Sequence, residues 1–240
     1  MTNQPCPRFR IASYNIRKAM GTDRRRDPHR IMGIIAELAA DIVILQEADL
    51  RLGARRSALP IHELETRTGM VAVPIADNDV SLGWHGNTIL LRPDIRVNDM
   101  QKLNLPGIEP RGAVIADVAI KGVALRVTAA HLGLLRSSRR RQLSALIEAL
   151  DVLDATPTLI AGDFNERSLR VGLGRIAHQF TIYAPGKTYH ANVPLVALDR
   201  IALDQNLTSF DGGVMNTPVA RRASDHLPIW MDVGVTKFTS

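Results

Sequence analysis

The sequence predicts a sheet-rich α/β sandwich in a single domain. Its 240 residues, 45% of them hydrophobic, are enough to bury a large core in one domain spanning residues 1–240. Short apolar runs of β type recur along the whole chain, whereas only a few segments carry a helical pattern. Strands that outnumber helices, without regular alternation, favour a sandwich of sheets over a repeated strand–helix unit.

Eight short apolar runs are the predicted strands. Their aliphatic residues are the composition typical of strands buried in a core. They span residues 9–16, 41–46, 87–92, 114–120, 124–130, 158–161, 198–203 and 227–235.

Two helices are predicted between these strands. The first begins at Pro28 after a capping Asp27, because proline fits the first helical turn and an aspartate there accepts a hydrogen bond from a free amide. Its apolar face consists of residues at helical spacing, namely Ile31, Ile34, Ile35 and Leu38. The second helix spans roughly residues 138–153, and its apolar face consists of Leu143, Leu146, Ile147 and Leu150.

Charge and composition narrow the possible functions. The net charge of +6, from 30 Lys and Arg against 24 Asp and Glu, favours nucleic acid, a phosphorylated molecule or an acidic membrane surface as partner, unless the excess is simply spread over the surface. The single cysteine, Cys6, excludes an intrachain disulfide and a cysteine zinc cluster. The sequence has no apolar run of the ~20 residues that a membrane span requires, and no secretory signal. We therefore expect a cytoplasmic protein, and the sequence predicts no particular oligomeric state.

Polar side chains appear repeatedly where the predicted strands end or begin. Because strand ends that meet at one rim bring their side chains together, we expect these residues to converge on one site. They are Asn15, Gln46, Glu47, His131, Asp163, Asn165, Asp199, Asp225 and His226. Carboxylate and amide oxygens are the ligands that hard cations prefer, so the sequence predicts a site for Mg²⁺ or Mn²⁺.

Each of these residues alone also has an ordinary structural interpretation. Asn15 suits a turn, and Asp163 followed by Asn165 suits an Asx-turn. His131 suits a hydrogen-bonded core histidine, and Glu47 suits a solvated strand end. Only their combination and order along the chain point to chemistry.

That order resembles the endonuclease/exonuclease/phosphatase superfamily, and in particular a compact bacterial branch of it. The resembling motifs run from residue 13 to residue 226 and are Ser13-Tyr14-Asn15-Ile16, Leu45-Gln46-Glu47, Gly86-Asn87, Arg111-Gly112, Ala130-His131-Leu132, Gly162-Asp163-Phe164-Asn165, Leu198-Asp199 and Ser224-Asp225-His226. The resemblance implies the DNase I-like fold, a two-sheet β-sandwich flanked by helices on both outer faces. Family members often carry His or Tyr at the position of Arg200, which puts the phosphate contacts beside Asp199 in doubt.

The resemblance also implies a metal and a water-activating group. Asn15 and Glu47 would hold the metal, and Asp225 would be a second carboxylate on its side. Asp163 and Asn165 would position or activate the attacking water and contact the phosphate.

The remaining implied roles concern the phosphate and the substrate. His226, oriented by Asp199, would sit against the phosphate, and His131 and Arg111 would stabilise its oxygens. The residues predicted to bind the rest of the substrate are Asn87, Arg111, Arg139, Arg140 and His190.

Arginines cluster in the segments next to these motifs. They lie within residues 24–26, 51–56, 136–141 and 221–222, and at Arg167 and Arg170. If the motifs share a rim, these arginines are expected to form a basic collar around the metal site. The alternative is that the loops are simply charged.

These observations lead to one main functional hypothesis and two alternatives. The main hypothesis is a metal-dependent phosphodiesterase that hydrolyses nucleic acid or another phosphodiester by water attack. The first alternative is a phosphatase or phospholipase-like hydrolase of anionic lipid headgroups or small phosphorylated metabolites, because an arginine-rich rim suits a nucleic-acid backbone and an anionic lipid surface equally well. The second is a binding module that keeps the fold without the chemistry.

Overall fold

Two six-stranded β-sheets packed face to face form the centre of the molecule, in a computed structural model that describes residues 7–168 and 172–236. Cys6 and Arg170 lie outside these ranges. The first sheet comprises β1 (Arg8–Asn15), β2 (Ile42–Gln46), β3 (Val71–Ala72), β4 (Thr88–Leu91), β11 (Leu207–Val214) and β12 (Ile229–Val235), in the order β11-β12-β1-β2-β4-β3. The second comprises β5 (Arg96–Leu105), β6 (Arg111–Ile120), β7 (Val123–His131), β8 (Thr158–Asp163), β9 (Phe180–Tyr183) and β10 (Asp199–Asp204), in the order β5-β6-β7-β8-β10-β9.

The strand pairing brings polar strand ends to one edge of the sandwich. β1 and β2 are parallel, and their ends place Asn15 opposite Gln46. β7 and β8 are also parallel, and they place His131 opposite Asp163. β10 runs antiparallel to β8, so its first residue, Asp199, also pairs with Asp163.

The helices cover both outer faces. They are α1 (Pro28–Glu37), α2 (Ile61–Thr68), α3 (Arg136–Asp151) and α4 (Pro218–Ala223), with 3₁₀ turns at Arg17–Ala19 and Ile176–His178. The α1 helix begins as predicted, because the Asp27 carboxylate accepts a hydrogen bond of 3.0 Å from the Arg30 amide and Pro28 occupies the first turn. Helices α1, α2 and α4 pack on the first sheet, and α3 packs on the second.

Three apolar layers hold these elements together. Residues such as Ile11, Ile44 and Val127 fill the space between the two sheets. The outer layers form beneath the helices, where the predicted apolar faces of α1 and α3 are buried. The predicted sandwich with helices on both outer faces is therefore confirmed.

Sequence patterns found the central strands and missed the peripheral elements. All eight predicted strands are present, with ends that shift by one to a few residues, and the second helix begins at Arg136 and ends at Asp151 instead of spanning 138–153. The missed strands are β3, β5, β9 and β11, and the missed helices are α2 and α4. Strand β5 lies at a sheet edge and most of its side chains are exposed, so its sequence is polar and lacks a continuous apolar run. Across the described ranges, no helix has the length and apolar character to cross a membrane.

Candidate active site

A cavity of about 990 Å³ opens at the edge where the polar strand ends meet. Its walls come from both sheets and from loops that include those following β2, β7 and β8. The wall residues predicted from the sequence as site residues are Asn15, Glu47, Arg111, His131, Arg139, Asp163, Asn165, Asp225 and His226.

Asp163 lies between two imidazoles on the cavity floor. Its Oδ2 atom is 3.6 Å from Nε2 of His226 and 3.5 Å from Nε2 of His131. Nδ1 of His226 lies 2.9 Å from Oδ2 of Asp199, a fully buried carboxylate on the far side of the ring. A buried Asp–His–Asp chain therefore leads from the protein interior into the cavity.

The pKa values of three of these buried groups, His226, Asp163 and His131, are shifted differently because their neighbours differ. Burial would lower the pKa of His226, but the carboxylates of Asp199 and Asp163 outweigh it and raise the pKa to about 9. Burial raises the pKa of Asp163 to about 6, although His226 opposes this rise. Burial and the positive charges of Arg111 and His226 hold the pKa of His131 well below 6.5. At neutral pH the site thus combines a charged His226 with a neutral His131.

Two amides fix the Asp163 carboxylate. The Asn15 side chain donates from Nδ2 to Oδ2 of Asp163 at 3.1 Å, and the Asn165 backbone amide donates to Oδ1 at 2.9 Å. The Asn165 side chain is itself held by the Leu132 carbonyl at 2.9 Å. Asp163 is thereby restrained to one orientation.

Glu47 and Asp225 form a second acidic part of the cavity wall. Glu47 has a left-handed backbone with φ of 53°, a conformation that is uncommon outside glycine and concentrates at functional sites. Its carboxylate forms an ion pair with Lys18 and lies 3.6 Å from the guanidinium of Arg51. The Asp225 carboxylate lies 3.3 Å from Nε of Arg17. Both acids therefore face cations carried by the turn that follows β1.

Two sets of residues in this site could hold a metal ion. Asp163, Asp199 and His226 offer ligand atoms within 4.8 Å of one another. However, the ring of His226 already uses Nδ1 to hydrogen-bond Asp199, and Asp199 lies behind it, away from the cavity. Asn15, Glu47 and Asp225 line the cavity itself, and their side chains offer oxygen atoms only as ligands, a donor type that fits a hard divalent cation better. Oδ1 of Asn15 accepts a hydrogen bond from the Arg17 amide at 3.0 Å.

Comparison with known proteins agrees with this architecture. The sequence matches the Endonuclease/Exonuclease/phosphatase family over residues 12–226. The chain belongs to this family. The uncharacterized protein YbhP of Escherichia coli K12 is 29% identical over 94% of this chain and 96% of its own.

Solved structures of other family members share the fold. A family protein from Bacteroides thetaiotaomicron superposes with a TM-score of 0.78 at 17% identity, covering 98% of this chain and 100% of its own. The endonuclease/exonuclease/phosphatase from Beutenbergia cavernae gives 0.73 at 22% identity over 95% of this chain and 72% of its own. The mannosyl-6-phosphatase Bt3783 of B. thetaiotaomicron gives 0.75 at 18% identity, with 94% and 99% covered. At these identities the likeness establishes the family fold alone.

Three residues predicted to bind substrate lie outside the cavity of this family member. Asn87 is fully buried, and its side chain donates to the Gly112 carbonyl at 2.9 Å, so it ties β4 to β6. Arg140 is exposed on α3 and does not contribute to the cavity wall. The ring of His190 lies 5.5 Å from that of Tyr189 and also stays outside the wall.

Arg139 reaches the wall but its guanidinium is already engaged. It donates to Glu166 at 2.8 Å and to the Leu134 and Gly133 carbonyls. The side chain is only 8% exposed. A buried guanidinium with these partners anchors the start of α3 to the loop after β8. The predicted role of Arg139 in substrate binding stays a prediction.

The predicted arginine collar is only partly present. Arg51, Arg55 and Arg167 line the cavity. The arginines of residues 24–26 and 221–222 lie together elsewhere, where the Thr22 amide donates to the Arg222 carbonyl. The basic wall is therefore narrower than the sequence suggested.

Three functional neighbours were missed or left undecided by sequence reasoning. Lys18 forms an ion pair with Glu47, and the ring of Tyr189 packs against that of His226 with the ring centroids 5.0 Å apart. The available signal was closeness in the sequence to predicted site residues, since Lys18 lies three residues after Asn15 and Tyr189 directly precedes His190. Arg200, the departure from the family pattern, is fully buried and donates to the Asp199 and Glu166 carbonyls at 2.9 and 2.8 Å. It therefore supports the backbone beneath the site and does not line the cavity.

Proposed function

We propose that this protein is a divalent-metal-dependent phosphodiesterase that hydrolyses its substrate by water attack. The observation that carries the proposal is the placement of Asp163 between a charged and a neutral imidazole in the cavity. Phosphate esters repel nucleophiles and gather negative charge on their non-bridging oxygens during reaction. A competent site must therefore activate water and offset that charge, and these residues can do both.

Asp163 is the proposed general base. A carboxylate whose pKa is raised to about 6 stays largely ionised at neutral pH and accepts a proton more readily than an ordinary aspartate. The amides of Asn15 and Asn165 hold it in one orientation. General-base help of this kind typically accelerates a reaction by about 10²–10⁴-fold.

His226 and His131 are the proposed hydrogen-bond donors to the phosphate. His226 is protonated at neutral pH, and Asp199 holds its ring in place. Nε2 of His226 can then donate to a phosphoryl oxygen or return a proton to the leaving oxygen. Neutral His131 can donate one further hydrogen bond to the phosphate. The guanidinium of Arg111, which donates to Glu109 at 2.8 Å, adds positive charge to the same cavity.

Asn15, Glu47 and Asp225 are the proposed holders of Mg²⁺ or Mn²⁺. Their oxygens suit a hard cation, and each of the two acids already forms an ion pair with a positive side chain. When bound, such an ion would supply charge stabilisation at the phosphate oxygens.

The volume of the cavity, about 990 Å³, and its additional basic wall residues favour a diester over a lone phosphate. Arg51, Arg55 and Arg167 line walls beyond the catalytic floor, so charge is available for groups attached to the phosphate. A phosphomonoesterase acting on small metabolites remains the alternative function. A silent binding module is disfavoured because the acids, amides and histidines all meet in one cavity.

Turnover of a small diester tests this proposal. Bis(p-nitrophenyl) phosphate and p-nitrophenyl phosphate would be compared in Mg²⁺ for the wild type, Asp163→Asn, and the control Asp94→Asn, an exposed acid outside the cavity. We expect the diester to be preferred, kcat to fall by at least about 10²-fold in Asp163→Asn, and the control to match the wild type. Equal kcat in Asp163→Asn and the wild type would overturn the assigned base.

A further inference from the structure

Large apolar side chains concentrate around the mouth of the cavity. Five of the six described large apolar residues that are more than 60% exposed lie in the loops at this mouth, and Val152 at the end of α3 is the sixth. The five are Leu52 at 88%, Ile108 at 78%, Leu195 at 68%, and Leu134 and Val193 at 65%. Leu135, beside Leu134, is 50% exposed. Single exposed leucines are ordinary, but a group around one opening marks an interaction surface.

Chain connectivity and hydrogen bonds place these residues at the mouth. Leu134 is itself a wall residue, Leu52 follows the wall residue Arg51, and Ile108 precedes the wall residue Glu109. The Leu134 amide donates to the Glu109 carboxylate at 3.2 Å, so the loops after β5 and β7 are joined.

Another part of the mouth is built by the segment between Tyr189 and Leu198. Both of these residues line the cavity, and Val193 and Leu195 are exposed in the chain between them. Hydrogen bonds of 2.9 Å, from the Val193 amide to the His190 carbonyl and from the Leu195 amide to the Tyr189 carbonyl, hold this segment. These six exposed residues are called the apolar rim: Leu52, Ile108, Leu134, Leu135, Val193 and Leu195.

Arginines lie in the same segments as the apolar rim, some in the cavity wall and some exposed at the surface. Arg51 and Arg55 belong to the same loop as Leu52 and line the cavity. Arg136 and Arg140 are exposed directly after Leu135. This arrangement of aliphatic tips above a basic cavity complements an anionic bilayer, whose acyl region accepts apolar side chains and whose headgroups attract arginine.

The same surface suits nucleic acid poorly. Duplex binding is dominated by contacts of basic and polar groups with phosphates, and single-strand binding by bases stacked on aromatic rings. The apolar rim offers aliphatic tips that can do neither. Tyr189, an aromatic residue in the cavity wall, already packs against His226.

We infer that the substrate is an anionic phospholipid, cleaved at its phosphodiester while the apolar rim is inserted in the bilayer surface. The inference rests on the proposed phosphodiesterase function and names the substrate class of that site. In the reaction the water oxygen bonds to phosphorus, one phosphorus–oxygen ester bond breaks, and the water proton passes through Asp163 and His226 to the leaving oxygen. The products are a phosphomonoester and an alcohol, and no oxidant or reductant is consumed.

Vesicle binding and lipid hydrolysis test the inference separately from the chemistry. Sedimentation in EDTA would compare vesicles of phosphatidylglycerol mixed with phosphatidylcholine against phosphatidylcholine alone. Hydrolysis in Mg²⁺ would then compare phosphatidylglycerol vesicles, duplex DNA, single-stranded DNA and bis(p-nitrophenyl) phosphate. The test variant is Leu52→Ser/Ile108→Ser/Leu195→Ser, and the control is Val152→Ser/Phe210→Ser, which changes exposed apolar residues away from the mouth.

We expect binding to the anionic vesicles, and a fall of at least about tenfold in both vesicle affinity and the ratio of lipid to small-diester turnover in the triple variant. The control variant should keep both values. Turnover of the small diester without binding or cleavage of the vesicles, preference for either DNA, or an unchanged ratio in the triple variant would each overturn the lipid assignment and leave the phosphodiesterase standing. Failure to cleave any diester in Mg²⁺ would overturn the proposed function, and the substrate assignment with it.

Discussion

The buried pair of His226 and Asp199 gives the sharpest prediction. Asp199→Asn keeps the size of the side chain and an oxygen that can accept from Nδ1 of His226, but removes the charge that lies 2.9 Å from the ring. In the wild type, neighbouring carboxylates raise the pKa of His226 from 6.5 to about 9, which corresponds to roughly 3 kcal/mol of preference for the charged imidazole. We expect the pKa of His226 to fall markedly in the variant, toward or below its ordinary value, because burial then dominates.

The same pair should make folding stability depend on pH. A histidine whose pKa is raised by folding contributes stability that is fully present below pH 6.5 and is lost as the pH rises through about 9. In EDTA, this contribution to the free energy of unfolding should decrease by up to about 3 kcal/mol across that window in the wild type, and much less in Asp199→Asn. The difference between the two proteins isolates the pair from other groups that titrate in the same range.

Two measurements check this reasoning in metal-free protein. NMR titration of the histidine rings, with His226 assigned from His226→Ala, gives the pKa directly, and urea unfolding at pH 6 and pH 9.5 gives the stability change. Asp94→Asn, an exposed carboxylate elsewhere, should reproduce the wild type in both. A His226 pKa that stays near 9 in Asp199→Asn would refute the proposed pairing.

Three further predictions concern residues in and around the cavity. Asp199→Asn and His226→Ala should reduce kcat non-additively, because the two residues act as one unit, and a double variant that shows the full product of both losses would contradict this. Lys18→Met removes the cation that sits on Glu47, so Mg²⁺ affinity measured by calorimetry should rise, and an unchanged or weaker affinity would disprove competition at Glu47. Arg139→Ala should cost about 3–5 kcal/mol in urea unfolding because it leaves the buried carboxylate of Glu166 unpaired, whereas exposed Arg140→Ala should stay within about 0.5 kcal/mol.

Sequence patterns predicted the centre of the fold well because the central strands are buried on both faces. Strands such as β2 and β8 are continuous apolar runs that end in polar residues. The local sequence therefore predicts both the strands and the polar residues at their ends. Strand β5, by contrast, is exposed along most of its length, and its place depends on pairing with β6. An edge strand of this kind carries little local signal.

In the candidate site too, the sequence predicts some features and not others, depending on whether the signal is local. Glu47, Asp163 and His226 could be named as candidates from the sequence because polar residues that can do chemistry lie at the ends or starts of apolar strands in a set order. The ion pair between Arg139 and Glu166 could not be predicted from the sequence. Glu166 is distant in the sequence and contacts Arg139 only after α3 packs on the second sheet. Lys18 was hidden for a similar reason, since residues 17–19 turn through left-handed backbone angles that bring it onto Glu47.

A metal titration of turnover tests the central claim most directly. Metal-free wild type and Glu47→Gln would be assayed with bis(p-nitrophenyl) phosphate over a range of Mg²⁺ and Mn²⁺ concentrations, with circular dichroism to establish that both remain folded. We predict that the wild type is inactive in EDTA and is activated saturably by metal, and that Glu47→Gln requires at least about tenfold more metal and reaches a lower kcat. Full wild-type turnover in excess EDTA, or an identical titration curve for Glu47→Gln, would contradict a metal-dependent phosphodiesterase at this cavity.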